Sequence, residues 1–162
     1  MGTGIELTKE SRQKWKQALK EKAQAARTEG SKVVGETAKK VEAEVSEKIA
    51  KESTNTGQLL QSIYQRHQGL GAEVGATAAH APYVEYGTGP HRPPFEPIYE
   101  WVWLKRHDMG IDDEDVWAVA KGVCDKIARL GTEETLHWTN TINENRKWFN
   151  ERMQKMIKEV IG

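Results

Sequence analysis

The sequence predicts an α+β fold: a long N-terminal helix, a small antiparallel β-sheet and a helical C-terminal half. Three observations carry this. No proline interrupts the stretch from Thr8 to Glu52, where Ala, Glu, Lys and Gln dominate, and these are strong helix formers. Two strand-like runs then flank the "GLG" of Gly69 to Gly71, a hairpin signal. Beyond Pro97 apolar residues recur at helical spacing almost to the end of the chain. One domain over residues 1–162 is expected.

Each element follows from its residues. In the helix over 8–52, Val34, Ala38, Val41, Val45 and Ile49 line one face, and Trp15, Leu19, Ala23 and Ala26 form a less regular line before them. Gly30 and Gly35 each cost about 1 kcal/mol relative to Ala inside a helix, so a kink or break is expected near residue 30. So long a stripe needs a partner, within the domain or on a neighbouring subunit. "STNTGQ" supplies turn chemistry after the helix, and the region 57–80 reads as a hairpin, although Leu59 to Arg66 also fits a short helix.

"APYVEYGTGPHRPPFEP", residues 81–97, reads as a Gly/Pro corner. Gly87 and Gly89 permit backbone angles forbidden to other residues, and Pro90, Pro93 and Pro94 lock the exit direction. Tyr83 and Tyr86 are expected to bury their rings, and Glu85 to accept a hydrogen bond from the following Gly-Thr backbone. Helices are expected over 98–161. Ile98, Trp101, Val102 and Leu104 make one apolar side, and Val116, Val119, Val123, Ile127 and Leu130 make the cleanest, stopped by Gly131. Thr132 is placed to cap a final helix whose stripe is Ile142, Phe149, Met153, Met156 and Val160.

Bulk properties exclude several classes. Lys and Arg (24) balance Asp and Glu (24), so no overall field draws the chain to nucleic acid or to an anionic membrane. The single cysteine, Cys124, sits at an apolar helical position and reads as a small core residue. No secretion leader and no bilayer-spanning run is expected.

Motifs for chemistry fail in turn. The five histidines lack zinc-ligand spacing, and no C-x-x-C exists. His80, His91 and Glu85 are close enough in sequence for a metal site to be conceivable, but turn histidines beside prolines are more often surface residues. "GTGP" lacks the lysine of a phosphate loop, and "GLGAEVG" has the wrong register for a dinucleotide fingerprint. Asp112 to Asp115 reads as an acidic helix start. Nothing reads as an active site, and no cofactor is expected. The six tryptophans, Trp15, Trp101, Trp103, Trp117, Trp138 and Trp148, cannot all enter one small core. Trp101 and Trp103 lie about 200° apart around a helix, so some are core residues under a second layer or anchors for a partner.

The order of motifs now becomes informative. "NTGQLLQSI", Asn55 to Ile63, resembles the T-G-x-L-x-x-S-I signature of a family of tailed-bacteriophage tail-completion or head–tail neck proteins, the gene-product-ten-like tail components. Thr56, Gly57, Leu59, Ser62 and Ile63 hold the motif positions. "APYVEYGTGPHRPP" is similar to the second signature, Y-A-x-x-V-E-x-G-T followed by proline, through Tyr83, Val84, Glu85, Gly87, Thr88 and Pro90. Tyr83 directly precedes Val84 here, so this segment is shorter than the family pattern. A tryptophan-bearing helix, an acidic linker and "KIARLGT", ending in Gly131 and Thr132, complete the series.

The resemblance implies a structural virion protein of the neck, with no catalysis and no cofactor. It further implies multiple copies around the particle axis, contacting head-closure or connector, tail-terminator and tail-tube proteins after synthesis in the host cytoplasm. Two other classes stand beside it: a free-standing helical interaction module, and a metal-dependent enzyme using His80 and His91.

Overall fold

Forty-four residues, Lys9–Glu52, form helix α1 in the computed structural model, which describes residues 8–52 and 57–162. The Thr8 hydroxyl accepts the Ser11 amide proton at 3.1 Å and closes the helix start. The expected break near residue 30 does not occur, because both glycines serve as close-packing points. A β-carbon on Gly30 would lie 3.1 Å from Leu70, and one on Gly35 would lie 3.1 Å from the His67 ring. The helix spends propensity at these positions to let the hairpin approach.

Helix α2 is one turn, Gln58–Gln61, and strand β1 begins at Ile63, so the Leu59–Arg66 stretch divides between helix and strand. Strands β1 (Ile63–Gln68) and β2 (Gly71–Ala76) pair antiparallel from Ile63 opposite Ala76 to Gln68 opposite Gly71. The two-residue turn has Gly69 at φ 59°, where a side chain is disfavoured. Ile63, Val74 and Ala76 turn toward α1 and pack against Val41, Val45, Ile49, Leu59 and Ala81. Tyr64 lies over Gly75 on the opposite strand and donates its hydroxyl proton to Glu73 at 2.5 Å, which raises the phenol above its ordinary pKa.

The remaining helices are α3 (Ala81–Tyr86), α4 (Phe95–Lys105), α5 (Val116–Leu130) and α6 (His137–Ile161). The corner over 81–97 therefore starts as a short helix, with Pro82 in its first turn where a missing N–H is harmless. Helix α6 runs back along α1, tied by Lys48–Glu144 (2.8 Å) and Arg152–Glu36 (2.7 Å). Its buried line differs from the expected one. Met156 of the expected stripe is buried and Phe149, Met153 and Val160 are half-covered, but Ile142 is exposed, and His137, Thr141 and Asn145 face inward as well. Asn145 donates to the Thr141 carbonyl at 3.0 Å and to the Glu44 carboxylate, so a polar seam joins the two long helices.

A second, smaller core forms between α4 and α5 around Val102, Val116 and Ala120. Cys124 is buried on the same line of α5, as a small packing residue. Val119, Val123 and Ile127 are only half-covered and Leu130 is exposed, because α5 has α4 as its neighbour on one flank only. No helix among the described residues is long and apolar enough to cross a membrane.

Candidate assembly site at the α3–α6 corner

The corner is built on one buried carboxylate. Glu85, on the inner face of α3, is 4% exposed. Its Oε2 accepts the Trp138 amide proton at 3.1 Å, and its Oε1 accepts the Thr139 amide (2.9 Å) and hydroxyl (2.7 Å). These amides belong to the first turn of α6, whose N–H groups have no partner within the helix. A carboxylate there satisfies the donors and complements the helix dipole. The expected partner of Glu85, the Gly-Thr backbone directly after it, is replaced by a helix start more than fifty residues away.

The α3 backbone adds to this hold. The carbonyl of Glu85 accepts the Leu136 amide at 3.0 Å, and that of Val84 accepts the Thr135 hydroxyl at 2.9 Å. Leu136 occupies the left-handed region at φ 52°, which costs a non-glycine residue about 1 kcal/mol. The bonds to α3 keep it there. Thr132 consequently does not cap α6; residues 133–136 extend between it and the helix.

Thr132 has another partner. Thr88 and Thr132 exchange backbone N–H to carbonyl bonds of 3.1 Å in both directions, and their hydroxyls share a 3.0 Å bond. The two Gly-Thr pairs of the sequence thus meet face to face. Gly87 (φ 67°) and Gly131 (φ 76°) both adopt angles that favour glycine. A β-carbon on Gly87 would collide with the Thr132 carbonyl, and one on Gly131 with that of Thr88. The close approach of the two segments requires both glycines.

The other motif residues are distributed around this junction. Gly57 sits at φ 71° before α2, Leu59 is buried in the main core, and the Ser62 hydroxyl donates to the Leu59 carbonyl at 2.8 Å. The Ser62 carbonyl accepts the Thr77 amide, and Ile63 opens β1. Val84 packs against the main core and Pro90 is exposed. Asn55 and Thr56 lie outside the described residues. Tyr83 and Tyr86 are exposed (62% and 68%), not buried, because α3 spends its inner face on Ala81, Val84 and Glu85.

Beside the corner lies a cleft of about 1110 Å³ whose walls include His80, His91, Pro93, Trp101, Leu104 and Ile127. The His91 ring contacts its own loop, with Nδ1 3.0 Å from the Gly89 carbonyl. Glu85, the third candidate ligand, is committed to α6, and no group of three metal-ligating side chains is assembled among the described residues. Of the tryptophans, Trp138 packs on the main core and Trp101 on the smaller one. Trp148 lies between Lys40 and Arg152, with both cations within 6.0 Å of its ring centre. Trp15 (62%), Trp103 (39%) and Trp117 (57%) are exposed.

Sequence reasoning missed the buried polar face of α6 and the role of Glu85. A lone glutamate in a Val-Glu-Tyr run carries no local signal of a distant helix end.

No curated protein and no solved structure matches the chain. Residues 12–87, just under half of the 162, match the family model described as "Bacteriophage HK97-gp10, putative tail-component", from the first turns of α1 to Gly87 at the end of α3.

Proposed function

We propose that this chain is a structural, non-enzymatic component of a tailed-phage virion that completes the tail and helps join it to the filled head. The match of residues 12–87 to a phage tail-component family carries the reading. That span holds both Gly57–Ile63 and Tyr83–Gly87, the motif segments around which α1, the hairpin and the corner are arranged. The geometry supports it: Glu85 fastens α3 to the start of α6, and the Thr88–Thr132 bridge ties together the segments that lead into and out of the α4–α5 unit. A part whose function is to fit between neighbours needs such fixed junctions.

In this role its neighbours are the head-closure or connector, tail-terminator and tail-tube proteins. Its location is the virion, reached by assembly in the host cytoplasm. The test is electron microscopy of lysates from the parent phage or prophage lacking this gene. Full heads beside separate tails, rescued by the wild-type gene, are expected. Tails of abnormal length would move the assignment to tail termination, and intact infectious particles would overturn it.

A further inference from the structure

The balanced net charge conceals a strong segregation. From Lys9 to Arg27, seven Lys and Arg stand against two Glu, a net of +5. From Phe95 to Leu130, eight Asp and Glu stand against five Lys and Arg, a net of −3. The first stretch is the N-terminal half of α1, and the second is the α4–α5 unit.

The basic stretch also stands clear of the body, with most of its side chains exposed. Helix α6 ends opposite Lys22, whose ammonium donates to the Ile161 carbonyl at 2.8 Å. The residues of α1 before that point overhang the body by about 20 Å, from the rise per residue. From Lys9 to Ala25 every residue except Ser11 is exposed. Trp15 and Leu19 are both 62% exposed. Lys16 and Lys20 run beside them at four-residue spacing, on the same side of the helix.

The acidic unit has matching features. Asp108 and Asp113 are neutralised by Lys105 and Arg106, whereas Asp112, Glu114 and Asp115 are exposed without a cationic partner among the described residues. The same unit also carries exposed apolar side chains: Leu104 (64%), Met109 (48%) and Trp117 (57%).

We infer that the basic overhang of one copy docks on the acidic α4–α5 unit of a second copy of this chain. Charge complementarity selects this occupant. The surfaces are opposite in sign, and each adds apolar anchors to its charges. The surfaces are different parts of the chain, so the contact is head-to-tail, and repetition gives a ring or an open chain of copies. The inference does not rest on the virion role. It is decided on purified protein, and that role is decided on phage lysates.

The experiment is sedimentation velocity of the full chain at tens of micromolar, in about 50 mM and about 500 mM salt. Wild type is expected to form oligomers at low salt that dissociate at high salt. K16E/K20E and D112K/E114K, all at exposed positions, are each expected to weaken association about tenfold or more. Mixing the two variants restores it, because each then offers the other a complementary pair of surfaces. Circular dichroism melts matching wild type confirm that both variants fold. A wild type monomeric at low salt, or variants that associate as well as wild type, would overturn the inference. So would a mixture that fails to recover. Retention of a DNA duplex by a monomeric wild type, lost in K16E/K20E, would reassign the overhang to nucleic acid.

Discussion

Glu85 on α3 and Thr139 on α6 are 54 residues apart, yet one carboxylate oxygen accepts both the Thr139 amide (2.9 Å) and hydroxyl (2.7 Å). This contact, with the Trp138 amide on the other oxygen, is how α3 dictates where α6 starts.

Removing the carboxylate should therefore loosen α6. Glu85→Ala strands two amides and a hydroxyl in a part-buried site, at about 2–3 kcal/mol from charged hydrogen bonds and a lost cap. Glu85→Gln keeps one acceptor oxygen and is expected to cost about half as much. Urea denaturation checks both. Equal stability of Glu85→Ala and wild type would mean that solvent replaces the carboxylate freely.

The glycines divide by geometry. Gly87→Val and Gly131→Ala each combine a positive φ with a collision against the opposing backbone, and should destabilise by about 2 kcal/mol or more. Gly122, exposed within α5, has open space where a β-carbon would stand. Gly122→Ala should stabilise by about 0.5–1 kcal/mol. Thermal melts of the three variants read this contrast directly.

Helix α1 should behave as two halves. Ile49 is 1% exposed in the main core, and Ile49→Ala is expected to cost about 2–5 kcal/mol. Leu19, on the overhang, should change the stability of the dissociated chain, in about 500 mM salt, by less than about 0.5 kcal/mol when replaced by Ala. Similar losses at both positions under those conditions would mean that the overhang packs against its own chain.

Acid should weaken the α1–α6 seam through Glu44. Burial opposes its ionisation, but hydrogen bonds from Lys40 and Asn145, with the charges of Lys40 and Lys48, outweigh this and hold the carboxyl below its ordinary 4.5. A carboxyl depressed on folding contributes stability above its ordinary pKa and loses it as pH falls through the folded value. Melting temperature should therefore fall more steeply below pH 4.5 in wild type than in Glu44→Gln. Glu47 is lowered by its hydrogen bond to Lys51, but at an exposed position where solvent screens the effect.

The sequence by itself determined the α+β class, the long helix, the hairpin at Gly69 and the packing of Cys124. Each follows from local hydrogen bonding and one-dimensional spacing, so the side chains of the element carry the signal. The Gly-Thr pairs were legible as positions needing glycine, but not as partners. Tertiary structure alone brought Thr88 to Thr132 across 44 residues and Glu85 to the start of α6 across 53. It also put Thr141 and Asn145, rather than Ile142, against α1. Such pairings have no period. They depend on which donors a helix start leaves unsatisfied, and on where the chain returns to meet them.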